Sequence, residues 1–338
     1  EGAAATAPLE GATGANYTLP DNLAAGTHTY LLICTSDGYS KSKEITITVT
    51  PISLEDAEVT VQSPTYNGKL QEPKVTVKLG DKTLSRDNDY TMKVPKQIDA
   101  GSYKLTIKGG GNYSGTIEKD WKIEPIKIDH AKFVKNITKT YSGEAEFTLT
   151  LAEKTNCLEF YDSHMTPISI PEGEYTISGM RFVAKNAEGE YVDSPQVGDK
   201  VIQFTITFLN NNYVLQTACD EQPASSKTYN QSGGATFTIT KADAPTVTPG
   251  KLTVVNNHEG TYTYDLKQLL PTAPNGTYGN IDWNGGYQHS FSSQFSYVKN
   301  YTIDNDGILT IISHDNNLTT TGKVGTITIT VITDNYEN

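Results

Sequence analysis

One two-part pattern recurs along the chain, and a fixed recurring pattern commits a sequence to a repeat architecture before any strand is assigned. Its first part is a Tyr-x-Gly turn that opens a strand, seen at Tyr66-Asn67-Gly68 and again 75 positions later at Tyr141-Ser142-Gly143. Its second part is a small residue or valine before glycine, an alternating strand, and then a tyrosine after glycine or asparagine. That second part occurs four times: Ala25-Gly26 with Gly38-Tyr39, Ala100-Gly101 with Asn112-Tyr113, Val197-Gly198 with Asn212-Tyr213, and Val324-Gly325 with Asn335-Tyr336. The interval from glycine to tyrosine stays within 11 to 15 residues, enough for a strand, a tight turn and the start of a second strand. A hairpin in each of four modules is the expectation.

The strands themselves are visible in the period of the apolar residues. Ile45-Thr46-Ile47-Thr48-Val49-Thr50 and Thr326-Ile327-Thr328-Ile329-Thr330-Val331 alternate with a period of two, the mark of a strand with one buried face. The aromatic set is mostly tyrosine, 20 against nine Phe and two Trp, which suits thin sheets whose side chains keep one end wet. Helical spacing occurs once, at Leu266, Leu269 and Leu270 between Asp265 and Pro271, and predicts one or two turns plugging the end of a sandwich. The fold expected is all-β, a series of tandem immunoglobulin-like β-sandwich modules.

Proline ends strand pairing, so Pro51, Pro125 and Pro245 mark the joints. They divide the chain into a partial module over 1–50 lacking its front half, a module over 51–126, a module over 127–244, and a last module over 245–338 whose final strand is expected to be clipped. The third is the longest. Its excess lies near 151–192, where clean alternation gives way to Asn, Pro, Glu and Gly, and an inserted hairpin or long loops is the expectation. The chain reads as a fragment of something longer.

A formal charge of -12 repels polyanions, so neither nucleic acid nor an anionic lipid surface is an expected partner. No apolar run approaches the ~20 residues that span a bilayer, and no membrane insertion is expected of this fragment. Cys34, Cys157 and Cys219 form no CxxC pair. They are too few for a disulfide framework, and a Cys157 to Cys219 bridge is weighed against ordinary half-buried thiols.

From Tyr66-Asn67-Gly68 through Glu72-Pro73-Lys74-Val75, Asp89-Tyr90-Thr91, Ala100-Gly101-Ser102-Tyr103 and Gly109-Gly110-Gly111-Asn112-Tyr113-Ser114-Gly115, the second module resembles the MBG-type (YDG/YGX-type) repeats of bacterial surface proteins. Those repeats belong to large secreted or wall-attached proteins of anaerobic, often gut-dwelling bacteria. The last module, with Thr261-Tyr262-Thr263-Tyr264-Asp265-Leu266 and Asp334-Asn335-Tyr336-Glu337, is similar to a related repeat type. The resemblance implies a β-sandwich spacer or adhesin stalk outside the cell, and it supplies no catalytic residue to transfer.

The six histidines are dispersed, without the spacing of metal ligands, and no nucleophile elbow or phosphate loop is present. No catalytic residue, metal site or cofactor is expected, and the chain is not expected to be an enzyme. Glu172 with Glu174, and Glu188 with Glu190, are read as solvated carboxylates. Asp304-Asn305-Asp306-Gly307 has the letters of a calcium loop but lacks the downstream bidentate Glu, so an Asx turn is the simpler reading. The sharpest candidate is Asp282, Trp283, Tyr287 and Gln288, where aromatic rings among polar groups would suit a sugar face. Core packing of Trp283 is the competing reading. The function expected is a monomeric, non-catalytic spacer array at the bacterial surface; the alternative is an adhesin segment contacting host or bacterial glycans or matrix proteins through the last module or the segment 151–192.

Overall fold

Alternating runs pair wherever the chain offers a turn that matches strand twist. In the computed structural model of the protein, Gly26–Ser36 and Tyr39–Val49 form an antiparallel hairpin joined by Asp37 and Gly38, both left-handed at φ 40° and 84°. An Asp-Gly pair tolerates these angles, and this turn keeps long strands from splaying. The structure describes residues 14, 16–19, 21–216, 224–255, 259–291, 298–313, 322–323 and 325–338. No helix among them is long and apolar enough to cross a membrane. The chain divides into two compact units: Glu1–Ile126 with Asn211–Tyr213, and Lys127–Asn210 with Val214–Asn338.

After its hairpin, the first unit builds a sandwich. One sheet pairs Glu58–Gln62 with Lys74–Leu79 and then Lys82–Thr83; the other orders Thr116–Ile123, Gly101–Gly109 and Tyr90–Lys93. Val77 from the first sheet and Leu105, Ile107, Trp121 and Ile123 from the second close on one core, together with Leu54, Leu84 and Tyr90. Each such side chain contributes about 1.5–3 kcal/mol on leaving water. The period of two is what makes this possible, since every second residue of Gly101–Gly109 reaches the same face.

In the second unit, Tyr191–Asp193, Tyr175–Lys185, Val201–Phe208 and Ser226–Gln231 form a four-stranded sheet in that order. Ile137–Thr140 runs parallel to Phe237–Thr240, and His130–Phe133 pairs with Leu158–Tyr161. Phe133 joins the three sheets: its ring centroid lies 5.9 Å from Phe204 and 6.2 Å from Phe237, both edge-on. A further sandwich toward the end of the chain packs Leu266, Trp283, Leu309 and Ile311 against Tyr264, Ile327 and Ile329. The architecture is therefore all-β, tandem immunoglobulin-like sandwiches, as the alternation predicted.

Two local features add detail to what the sequence predicts. Within the stretch 151–192, Tyr175–Lys185 pairs with Tyr191–Asp193 and is an interior strand of the four-stranded sheet, and Tyr175, Met180, Phe182 and Val183 are core residues. The segment also carries a short helix, Leu151–Lys154, held by a capping box in which Thr150 accepts from the Glu153 N–H and Glu153 accepts from the Thr150 N–H. The spacing at Leu266 gives a single 3₁₀ turn, Leu266–Leu269, capped by Asp265 accepting from the Lys267 N–H at 2.9 Å. Leu266, Leu269 and Leu270 join the apolar cluster there.

Cys219 lies outside the described residues, and with it the bridge to Cys157. Burial pushes the Cys157 thiol up to about 11, whereas Cys34 is exposed on the hairpin. The thiolate is the nucleophile, so a raised pKa lowers reactivity at every pH below it. After reduction, native protein treated with iodoacetamide at about pH 8 is expected to be alkylated at Cys34 and spared at Cys157, with both modified in denaturant. Equal native labelling by peptide mass mapping would contradict the burial.

Candidate functional site

The repeated asparagine and glycine steps, which the sequence places about a hundred residues apart, meet in space. In the first unit the Ala25 N–H donates to Asn112 Oδ1 at 2.7 Å, and the Ala100 N–H donates to Asn212 Oδ1 at 2.7 Å. In the second unit the Val197 N–H donates to Asn335 Oδ1 at 3.3 Å. Each time the donor is the residue before the pattern glycine of one repeat, and the acceptor is the asparagine of the Asn-Tyr step in the next.

The asparagine's other atoms are used in the same way. Asn212 Nδ2 donates to Asp99 Oδ1 at 3.1 Å and Asn335 Nδ2 donates to Gln196 Oε1 at 2.7 Å; Asp99 and Gln196 both immediately precede the amide donor. The main-chain carbonyls of Asn112, Asn212 and Asn335 each accept an N–H at 2.9 Å, from Ile52, Ile126 and Ala242 respectively. Those three donors lie in the proline-bearing joints. A carboxamide is the side chain for this place because it presents an acceptor and a donor side by side.

The tyrosine that follows completes the clasp. Tyr66 meets Tyr213 with centroids 5.6 Å apart at 78°, and Tyr141 meets Tyr336 at 5.6 Å and 79°. Edge-to-face pairs of this geometry contribute about 0.5–1.5 kcal/mol beyond burial. Tyr66 and Tyr141 are the tyrosines of the Tyr-x-Gly turns, so both parts of the sequence pattern converge on one device. The glycine has its own reason at the second copy: Gly143, at φ 79°, has the Gly276 N where a Cβ would lie, 2.8 Å away. The Tyr141 hydroxyl accepts from the Thr277 N–H at 3.0 Å and donates to the Thr277 carbonyl at 3.1 Å. Among the described residues Tyr113 has no tyrosine partner and instead takes a hydrogen bond from Lys82 Nζ at 2.8 Å.

Trp283 is 3% exposed and belongs to the core, so it offers no ring face to a sugar. Asp282 and Gln288 are exposed, and Asp282 Oδ1 accepts from the Asn284 N–H at 2.8 Å. The backbone of Tyr287 pairs with Ile329, while its side chain lies outside the described residues. Glu172 accepts from the Asn156 N–H and Glu174 from Asn210 Nδ2, so this pair fastens loops instead of facing a cleft. Asp304 Oδ1 accepts from the N–H groups of Asp306 and Ile308, at 3.0 and 2.8 Å, as an Asx turn does. Among the described residues no three His, Cys, Asp or Glu side chains are grouped to hold a metal.

No known protein family and no curated protein matches the chain. Among solved structures it is similar to protocadherin gammaB7 EC3-6 in a cis-dimer structure, at 9% identity over 91% of this chain and 82% of that one, with a TM-score of 0.27. It is also similar to the human desmocollin-1 ectodomain, at 12% identity over 91% of this chain and 67% of that one, with a TM-score of 0.21. Likenesses at these scores carry no argument about function.

Proposed function

We propose that the chain is a non-catalytic structural array of MBG-type repeats, a monomeric spacer or adhesin stalk at the surface of a bacterium. The observation that supports this reading is the clasp, which returns three times with the same donor, the same acceptor and the same main-chain distance of 2.9 Å. Residues repeated along a chain to fasten it to itself serve the chain's own continuity. The charge of -12 keeps such an array soluble. The division into modules over 1–50, 51–126, 127–244 and 245–338 is part of the proposal, with one clasp at each of the three joints.

The reading is tested by presenting the full chain to a glycan array and to immobilised host matrix proteins. Silence across both is the expected result. Reproducible, saturable binding that survives about 150 mM salt would overturn the spacer role and promote the adhesin alternative.

A further inference from the structure

The hairpin of Gly26–Ser36 with Tyr39–Val49 has one apolar face that is largely open: Leu32, Cys34, Tyr39 and Ile45 are exposed, and His28, Tyr30, Ile47 and Val49 only partly buried. The register puts His28, Tyr30, Leu32 and Cys34 on the same face as Tyr39, Ile45, Ile47 and Val49, through the pairs Tyr30 with Ile45, His28 with Ile47 and Gly26 with Val49. The other face carries Thr27, Thr29, Thr35, Ser40, Ser42, Glu44, Thr46 and Thr48, and only Leu31 and Ile33 depart from that polar set. Leu32 is 51% exposed and Ile45 41%. A two-stranded ribbon with such a face is marginal in water.

The second repeat shows what the same face does against a facing sheet. Aligned on Ala25-Gly26 and Ala100-Gly101, Tyr30 and Leu32 correspond to Leu105 and Ile107; aligned on the pairs Gly26 with Val49 and Gly101 with Ile123, Ile47 and Val49 correspond to Trp121 and Ile123. All four counterparts are fully buried, against a sheet that contributes Val59, Val61, Val75, Val77 and Leu79. The tyrosine of the pattern tells the same story, since Tyr113, Tyr213 and Tyr336 are all buried and Tyr39 is 84% exposed.

We propose that this hairpin face is a docking surface for a three-stranded β-sheet with a valine-rich face, the kind formed here by Glu58–Gln62, Lys74–Leu79 and Lys82–Thr83. The inference rests on the repeat-array reading and names the partner of one of its surfaces. A second copy of the hairpin does not fit as well. The apolar face also carries Lys41 and Lys43 toward the turn and no carboxylate on its strand positions, so two copies face to face would set like charges against one another, whereas against a valine face these exposed lysines can extend past the sheet edge into water.

The test fuses residues 51–99 of this chain ahead of Glu1 of the full protein and follows amide hydrogen exchange over residues 26–49. Exchange is expected to slow by about a hundredfold relative to the unfused protein, as marginal strands acquire a core. Leu32→Lys in the fused protein is expected to remove that protection, whereas Leu31→Lys, one residue away on the polar face, is expected to keep it. No slowing on fusion, or equal loss with both lysines, overturns the proposal. So does a concentration-dependent dimer of the unfused protein that Leu32→Lys dissociates. Each of these outcomes is independent of the ligand panel above, so the docking surface and the spacer role fail separately.

Discussion

Asn335→Leu is expected to destabilise the second unit by about 2–4 kcal/mol, because a fully buried carboxamide loses three hydrogen bonds whose partners are only partly shielded from water. Asn335 is 0% exposed. Its side chain accepts from the Val197 N–H and donates to Gln196 Oε1 and, at 3.0 Å, to the Thr277 carbonyl. Leucine keeps the branched four-atom outline, is bulkier, and can replace none of these bonds. Gln196 and Thr277 are exposed residues, so each lost bond costs about 0.5–1.5 kcal/mol, with the long 3.3 Å contact at the low end. The main-chain bond from Ala242 survives, since it uses the asparagine carbonyl.

Asn112 fills the equivalent place but is exposed, so water replaces what leucine removes and the expected cost of Asn112→Leu is about 1 kcal/mol or less. Trp121 sits in the first unit and Trp283 in the second. Fluorescence in Trp121→Phe protein therefore follows the second unit alone through a urea titration. A fall in midpoint with an unchanged slope is expected for Asn335→Leu. Equal midpoints for Asn335→Leu and its parent would mean that the clasp contributes nothing to stability.

Much of this architecture was legible from the period of two and from turn residues, and the places where reading stopped have physical causes. Residues 175–185 looked irregular because the ladder between Tyr175–Lys185 and Val201–Phe208 shifts register between Ser178 and Arg181. The bulge holds Gly179 at φ 60° and changes which residues face inward: Tyr175 before it and Met180, Phe182 and Val183 after it are all buried. A one-residue slip turns clean alternation into apparent noise. The clasp was half legible. Its residues are the pattern itself, but a recurring spacing shows only that each copy repeats. It does not show that the asparagine of one repeat closes on the glycine step of another, with Val197 and Asn335 lying 138 residues apart.

Trp283 shows the reverse case, a residue whose neighbours in sequence point outward while its neighbours in space make it core. Asp282, Asn284 and Gln288 are exposed around it, which is why a sugar face could be read there. What buries the indole is remote: Leu309 and Ile311 lie on the strand Ile308–Ser313, and Gly307 lies just ahead of it. A Cβ on Gly307 would come within 2.5 Å of Trp283 Cε2, and its φ of 78° already disfavours any side chain. Trp283→Ala is therefore expected to cost about 3–5 kcal/mol through the cavity it leaves. Gly307→Ala is expected to cost about 1–3 kcal/mol through overpacking and backbone strain. Calorimetry of the full chain would register both as a lower Tm for the second unit with the first unit unchanged. A Trp283→Ala protein as stable as its parent would remove the indole from the core. The same physics fixes how a sugar-binding experiment at this patch has to be built: loss of binding in Trp283→Ala would report a collapsed sandwich, so the informative variants are Asp282→Ala and Gln288→Ala, whose exposed side chains can be removed with the core intact.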